Sequence, residues 1–229
     1  MIKKKKAVVL FSGGLDSTTV MAIAKNEGFL VYGITIDYGQ RHSNEIKAAK
    51  LIAKKLGTEK HIVIKIDLRK IGGSALTGDI DVPKMGQTKK SGIPTTYVHA
   101  RNTIFLSIAL AWAEVLGAFD IFIGVNSIDY SGYPDCRPEY IESFEKTANL
   151  ATRISTEGKQ HINIRAPLIN MTKADVIRKG TELGIDYSIT HSCYDPSAEG
   201  LACGQCHSCL LRKKGFSKAE MPDPTKYML

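Results

Sequence analysis

A glycine loop near the amino terminus separates a short apolar run from a segment of helical period. Residues 7–11 are typical of a buried strand, residues 12–18 read Ser-Gly-Gly-Leu-Asp-Ser-Thr, and helical periodicity covers residues 18–25. In an open parallel sheet, ligands bind beyond the carboxyl ends of the strands, where the next helix offers unpaired N–H groups to an anion. This order predicts an α/β fold with a phosphate site after its first strand.

The same alternation continues along the chain. Residues 30–36, 61–66 and 119–124 are predicted strands, and residues 45–56 and 102–116 are predicted helices. Strands that alternate with helices favour a doubly wound, Rossmann-like parallel sheet. We expect a main domain over residues 1–190 and a small cysteine module over residues 191–229, packed on the same domain. The polar stretch 71–97 is rich in glycine and proline and predicts a mobile lid, with a disordered surface excursion as the alternative.

Length and charge limit the classes of protein that remain. A chain of 229 residues can enclose one substantial core. Its apolar stretches are far shorter than the ~20 residues that cross a bilayer, and no signal peptide is evident, so we expect a cytoplasmic protein without a membrane partner. The net charge of +8 suits nucleotides or RNA, although a solvated basic surface explains it equally well.

The glycine loop carries groups suited to a metal-bound nucleotide. Gly13 and Gly14 allow close approach of the backbone, and Asp16 can hold a hydrated Mg²⁺ that bridges phosphates. The loop lacks the lysine of the loops that serve γ-phosphate chemistry, so attack at the α-phosphate is favoured. The alternative is a tight turn in which Asp16 only caps a helix. The predicted nucleotide-binding residues are Phe11, Ser12, Gly13, Gly14, Leu15, Asp16, Ser17 and Thr18.

Four of the five cysteines lie close together near the carboxyl terminus. Cys193, Cys203, Cys206 and Cys209 are separated by nine, two and two residues, which resembles a closed, structural Zn²⁺ site. An iron–sulfur cluster, redox or sulfur-transfer cysteines, and unliganded buried cysteines are the alternatives. The flanking His191 is expected to be exposed to solvent.

Polar and aromatic residues follow two of the predicted strands. Asp-Tyr-Gly-Gln-Arg-His begins at residue 37, and a longer polar stretch occupies residues 124–139. Both should face the nucleotide crevice, where amides and carboxylates can pair with a purine-like edge and tyrosines can stack. The alternative for the second stretch is a polar loop that only makes turns. The candidate substrate-binding residues are Tyr38, Gln40, Arg41, Asn126, Asp129, Tyr133 and Asp135.

These motifs carry a resemblance to a known family. The loop at residues 12–17 resembles the pyrophosphate loop (PP-loop) of the adenylating N-type ATP pyrophosphatases. Together with the motif from residue 37, Ser-Gly-Tyr-Pro-Asp-Cys-Arg-Pro-Glu at residues 131–139 and the cysteine tail, it is similar to the 7-cyano-7-deazaguanine synthase family of queuosine biosynthesis over nearly the whole chain. The chain departs at His99, where members usually carry proline.

The resemblance implies an ATP-dependent carbon–nitrogen ligase. Its substrates would be 7-carboxy-7-deazaguanine, ATP with Mg²⁺, and ammonia, with one structural Zn²⁺ per chain, no stable nucleic acid partner and a homodimeric state. Asp16, Arg101 and Lys173 would be the catalytic residues, the last two as neutralisers of phosphate charge. A tRNA-modifying thiolase and a Zn²⁺-dependent nucleotide sensor without enzymatic activity are the alternative functions.

Overall fold

The structure, a computed structural model, describes residues 4–84, 92–128 and 132–228, and its regular elements form one α/β body. The strands are β1 (Lys6–Leu10), β2 (Leu30–Asp37), β3 (Lys60–Lys65), β4 (Asp120–Phe122) and β5 (Asn163–Arg165). The α-helices are α1 (Leu15–Asn26), α2 (Asn44–Leu56), α3 (Arg101–Leu116), α4 (Pro138–Ala151), α5 (Arg153–Thr156), α6 (Lys173–Glu182) and α7 (His207–Ala219). The strands form one parallel sheet in the order β3-β2-β1-β4-β5.

The sheet is covered by helices on both faces. Val8 and Leu10 of β1 belong to a core that includes residues of α3 and α4, whereas Ala7 and Val9 belong to a second core with residues of α1, α2 and α6. Successive side chains of a strand point to opposite faces, so β1 is apolar at each of its four buried positions, 7–10. The predicted doubly wound parallel sheet is confirmed.

The direction of winding reverses at β1. From β1 the chain moves outward through β2 to β3, then crosses by way of α3 to β4 on the other side of β1 and continues to β5. The loops that leave β1 and β4 therefore diverge and open a crevice between them at the carboxyl edge of the sheet. Such a reversal is the usual ligand site of a doubly wound sheet.

Several element boundaries differ from those predicted. Helix α1 begins at Leu15, inside the glycine loop, rather than at residue 18, and β4 is shorter than the predicted strand 119–124. The short β5 and helix α4 were not predicted. A strand of three residues is too short for side-chain alternation to stand out in the sequence.

The glycine- and proline-rich segment has no helix or strand between residues 72 and 84 or between residues 92 and 97. These parts are nevertheless packed, since Ser74 and Ala75 are fully buried and the Ala75 N–H donates to the carbonyl of Thr95 at 2.8 Å. Residues 85–91 lie outside the described part. The mobility of the lid stays a prediction.

The cysteine tail packs directly against the main sheet layer. Helix α7 lies against α6, and Gly215 of α7 is the close contact, since a Cβ there would lie 2.4 Å from Cγ of Lys173. The backbone N–H of His191 donates to the carbonyl of Gly13 at 3.0 Å. Among the described residues, no helix is both long and apolar enough to cross a membrane.

Candidate active site

A cavity of about 210 Å³ lies where the winding of the sheet reverses. Its walls come from the glycine loop, the ends of β1, β2 and β4, the first turn of α3, and residues 191–194. The predicted site residues that line it are Phe11, Ser12, Gly14, Leu15, Asp16, Ser17, Tyr38, Gln40, Arg101, Tyr133 and Lys173. The cavity thus brings together residues from predicted motifs that are up to 162 positions apart in the chain.

The glycine loop is shaped by close packing against α2. Gly13 has a φ of +81°, and a Cβ there would lie 2.5 Å from the backbone nitrogen of Ala49. A larger residue would be strained in its backbone and would collide with α2, so glycine is required. Gly14 precedes α1, whose first N–H groups have no partner within the helix and can bind an anion.

The hydroxyl groups of the loop hold its conformation. Oγ of Ser12 and Oγ of Ser17 are 3.0 Å apart, and Oγ1 of Thr18 donates to the carbonyl of Gly14 at 2.7 Å. Gly124, which follows β4, passes beside the loop, because a Cβ there would lie 3.2 Å from the backbone nitrogen of Ser17. The loop, which follows β1, is therefore a fixed turn that is held by its own hydroxyl groups and packs against Gly124 after β4.

Asp16 and Lys173, predicted to bind Mg²⁺ and phosphate, form an ion pair with each other. The Lys173 ammonium donates to both carboxylate oxygens of Asp16, at 2.7 and 2.8 Å, and both side chains are largely buried. Lys173 is the first residue of α6, and a capping box between Thr172 and Asp175 fixes that helix start. Each charge therefore compensates the other beside the glycine loop.

A cluster of ionisable groups forms the opposite wall. The guanidinium carbon of Arg101 lies 5.9 Å from the ring centroid of Tyr38. Burial raises the pKa of Tyr38, and burial also raises the pKa of Glu45 to about 7, although the charge of Arg101 opposes this shift. Burial disfavours the charge of Arg101, but the neighbouring Tyr38 and Tyr133 raise its pKa overall. Arg101 therefore stays cationic, while Glu45 can change its protonation near neutral pH.

His99 lies two residues before Arg101 in the chain. The following residue, Ala100, has a left-handed backbone with a φ of +50° and precedes the first residue of α3, Arg101. The ring of His99 lies 5.4 Å from that of Tyr97. His99, where the sequence departs from the resemblance, is thus accommodated in the turn into α3.

The residues after β2 differ in their access to the cavity. Gln40 lines it, and its side-chain oxygen accepts a hydrogen bond from the Tyr38 N–H at 2.9 Å. Arg41 is exposed, lies outside the lining, and donates to the carbonyl of Ile80 at 2.9 Å. Arg41 thus tethers the 71–84 segment.

The residues after β4 are more deeply embedded than the sequence suggests. Asn126 is fully buried and donates to the carbonyl of Leu168 at 3.1 Å. The carboxylate of Asp135 accepts a hydrogen bond from the Asn102 N–H at 3.0 Å, at the start of α3. Neither lines the cavity, and Asp129 lies outside the described residues. Their contact with substrate stays a prediction.

Tyr133 and Cys136 follow the same strand and do reach the cavity. The hydroxyl of Tyr133 lies 2.8 Å from Oγ1 of Thr96. Burial raises the pKa of Cys136 to about 12, so it remains a neutral thiol. The phenol ring of Tyr133 therefore offers a flat face to the cavity, and its hydroxyl is held by Thr96 of the 92–97 segment.

The four tail cysteines converge as their spacing predicts. The sulfur atoms of Cys193, Cys203, Cys206 and Cys209 lie within 4.8 Å of one another. Backbone N–H groups donate to two of the sulfurs, such as the N–H of Cys206 to the sulfur of Cys203 at 3.3 Å. Such donors stabilise thiolates, and four thiolates satisfy a tetrahedral ion without an open position. The cluster therefore fits a structural metal ion.

Sequence reasoning missed several lining residues that the tail contributes. His191, expected to be exposed, is half-buried and lies 5.4 Å from the ring of His42. Ser192 and Arg212 also line the cavity, and Arg212 is almost fully buried. Glu45 on α2 was missed as well. The signal for Ser192 was its place directly before the first cysteine, while Arg212 falls in a basic, helical stretch that looks like surface.

Comparisons with known proteins agree with this geometry. The model of the family "Queuosine biosynthesis protein QueC" matches residues 6–220. A 7-cyano-7-deazaguanine synthase from Geotalea daltonii is 67% identical over 224 residues, 98% of this chain and 97% of that protein, and one from Desulfatibacillum aliphaticivorans is 64% identical over 229 residues, 99% and 98% of the two chains.

Among solved structures, NMN synthetase from Francisella tularensis is similar with a TM-score of 0.51 and 14% identity, over 96% of this chain and 79% of that one. At this identity the likeness concerns the fold alone.

The family model covers nearly the entire described sheet and the cysteine tail. The chain belongs to the QueC family of queuosine biosynthesis proteins.

Proposed function

We propose that the protein is a 7-cyano-7-deazaguanine synthase, an ATP-dependent carbon–nitrogen ligase. Its membership of the QueC family along nearly the whole chain is the observation that carries the proposal. The cavity supports it, because a phosphate-binding helix start and two cationic side chains surround one space.

In the proposed reaction, the carboxylate of 7-carboxy-7-deazaguanine attacks the α-phosphate of ATP and expels pyrophosphate. Ammonia attacks the resulting acyl-adenylate, forming the carbon–nitrogen bond and releasing AMP to leave an amide. The amide oxygen then attacks a second ATP and expels a second pyrophosphate. Loss of AMP and protons from that adenylate leaves the nitrile. Both activations need the same phosphate site, so one loop serves both.

The loop at residues 12–17 would hold the departing pyrophosphate through the N–H groups at the start of α1. A Mg²⁺ ion bound at Asp16 would neutralise phosphate charge. Lys173 would exchange its contact with Asp16 for the phosphates, and Arg101 would stabilise charge from the other wall. Catalysis would then rest on positioning and electrostatic stabilisation rather than on a protein nucleophile.

The aromatic and amide side chains of the cavity would receive the deazaguanine. Tyr38 and Tyr133 supply flat ring faces, and Gln40 supplies an amide within the same cavity. Direct contacts of Arg41, Asn126, Asp129 and Asp135 with the base remain part of the proposal. Arg41, Asn126 and Asp135 lie outside the lining of the cavity, so a ligand could touch them only if the loops after β2 and β4 rearrange.

We propose one structural Zn²⁺ in the cysteine cluster. The donor set of four close sulfurs supports it, and a colourless protein that contains one Zn²⁺ would separate it from an iron–sulfur protein. A sulfur-transferring tRNA thiolase is less well supported, because four cysteines converge in one cluster and burial raises the pKa of the fifth, Cys136, to about 12, which disfavours the reactive thiolate.

We further propose a cytoplasmic homodimer that forms no stable complex with nucleic acid. Val115 on α3 is 82% exposed and Leu150 on α4 is 80% exposed, and these two side chains are candidates for a contact between subunits. Size-exclusion chromatography with light scattering would test the dimer. A salt-sensitive complex with tRNA would contradict the nucleic-acid statement.

The reaction itself is tested by incubating the protein with ATP, ammonium and the carboxylate, and analysing the products by mass spectrometry. The proposal predicts the nitrile together with AMP. Turnover that yields only ADP would overturn the adenylate mechanism, and ATP turnover that never produces the nitrile would overturn the substrate assignment.

A further inference from the structure

Ser192 lies between the glycine loop and the cysteine cluster. Its Oγ accepts a hydrogen bond from the backbone N–H of Leu15 at 3.3 Å, and it lines the active-site cavity. Leu15 is the first residue of α1, and Cys193 is the next residue along the chain. A hydroxyl from the tail thus sits at the helix start where the departing phosphates are expected.

The Ser192 hydroxyl retains its own proton for a ligand. A hydroxyl can accept and donate at once, and in this contact the Leu15 N–H is the donor. Among the hydrogen bonds of residues 4–84, 92–128 and 132–228, this contact is the one that the Ser192 side chain makes, and in it Ser192 accepts. The other loop hydroxyls are differently engaged, since those of Ser17 and Thr18 both donate to the carbonyl of Gly14.

The segment that carries Ser192, residues 187–193, is held by contacts to the glycine loop, to α7 and to the cysteine cluster. The His191 N–H donates to the carbonyl of Gly13 at 3.0 Å, which ties the segment to the loop. Arg212 of α7 donates to Oγ1 of Thr190 at 2.8 Å and to the carbonyl of Tyr187 at 3.0 Å. Cys193 anchors the other end in the sulfur cluster. Ser192 is therefore held against the loop by contacts it does not make itself.

We propose that Ser192 is a pyrophosphate-binding residue, supplied by the cysteine module to complete the site formed by the glycine loop. The inference rests on the proposed adenylation, in which pyrophosphate leaves at the start of α1. Its O–H donates to a phosphate oxygen, while the Leu15 N–H continues to donate to its Oγ or to the same phosphate. The cysteine cluster then positions one of the phosphate contacts.

The test measures binding to the full-length protein by calorimetry, with Mg·ATP, pyrophosphate and AMP as separate ligands. Ser192→Ala should weaken Mg·ATP and pyrophosphate by about 10- to 100-fold, the loss expected for one hydrogen bond to a charged group. AMP, which lacks the departing phosphates, should bind within about twofold of the wild type. Ser192→Thr, which keeps the hydroxyl, should recover most of the affinity.

Ser188→Ala is the matched control, because Ser188 is an exposed serine on the same segment whose hydroxyl donates to Asp186. Unchanged pyrophosphate affinity in Ser192→Ala would overturn the proposal, and so would an equal loss for AMP and pyrophosphate, which would make Ser192 merely a structural tie. If the alanine variant does not fold, Ser192→Gly is judged by the same criteria.

A measurement on the wild type needs no variant. Pyrophosphate should slow amide hydrogen exchange in residues 187–193 and AMP should not; slowing by neither ligand would contradict the inference. Because these experiments omit the carboxylate and ammonia, they are independent of the nitrile assay. A wild type that binds pyrophosphate through Ser192 but makes no nitrile would refute the proposed function and leave the phosphate site intact.

Discussion

Replacing Gly215 by alanine should lower the activity, because the added methyl group would displace the side chain of Lys173. A Cβ at this position would lie 2.4 Å from Cγ of Lys173 and 2.9 Å from Cδ1 of Ile177. Carbon atoms rest about 3.5–4.0 Å apart, so the Lys173 side chain or the two helices must shift by roughly 1.1–1.6 Å. The Lys173 ammonium lies at the end of the same side chain, beyond this carbon, and donates to Asp16 at 2.7 and 2.8 Å.

A displacement of about 1 Å in a positioned group can cost about 100-fold in rate. We therefore expect Gly215→Ala to lower kcat for AMP formation by about that factor while the protein stays folded. Overpacking should also lower the free energy of unfolding by about 1–3 kcal/mol. The rate is measured by quantifying AMP at saturating substrates, and stability by urea denaturation monitored by circular dichroism.

Ser217→Ala on the same helix is the matched control, because Ser217 is exposed and alanine there also favours the helix. It should leave both quantities nearly unchanged. Without the steric contact, alanine for glycine inside a helix would stabilise the protein by about 1 kcal/mol. A Gly215→Ala protein that is more stable than the wild type and fully active would refute the packing argument.

Three further predictions concern buried charges. Asp16→Asn keeps the shape but removes the negative charge, and should raise the KM for Mg·ATP at least about tenfold in steady-state assays. Arg212→Met leaves the carboxylate of Asp223, now 3.0 Å from the guanidinium, without its cation and should cost about 3–5 kcal/mol in urea denaturation. Burial raises the pKa of Glu45 from 4.5 to about 7, so between these pH values the folded protein keeps a proton that the unfolded chain releases. The free energy of unfolding should therefore fall as the pH rises from 4.5 to about 7, and Glu45→Gln should reduce this dependence on pH.

The fold could be predicted because its signals are local. The strand before the glycine loop is apolar from Ala7 onwards, as a strand buried on both faces requires. The alternation of such strands with helical segments predicts the parallel sheet that the structure confirms. The cysteine cluster was predictable for a similar reason. Its last three ligands are separated by two residues each, so a single tight turn and the start of α7 bring their sulfurs together.

The contacts of the polar residues could not be predicted, because they depend on where distant backbone groups come to lie. Asp135 has the composition of a substrate ligand, but its carboxylate accepts from the Asn102 N–H at the start of α3. The buried Asn126 likewise donates to a carbonyl in the turn before α6. A buried helix start or turn needs hydrogen-bond partners, and a sequence does not show whether a nearby polar side chain serves the backbone or a ligand.

The cysteine tail is best understood as part of the catalytic body. A short segment with one helix buries too little apolar surface to be stable alone, and the proposed closed metal site would fix its shape. That shape includes α7, on which Arg212 supports the segment before Cys193 and Gly215 contacts Lys173. Both contacts support groups that touch the glycine loop. The segment held by Arg212 carries Ser192, which accepts from the Leu15 N–H, and Lys173 donates to Asp16. Treatment with a chelator that removes the proposed metal ion should therefore weaken nucleotide binding, measured by calorimetry, before the sheet unfolds, because the strands are hydrogen-bonded directly to one another.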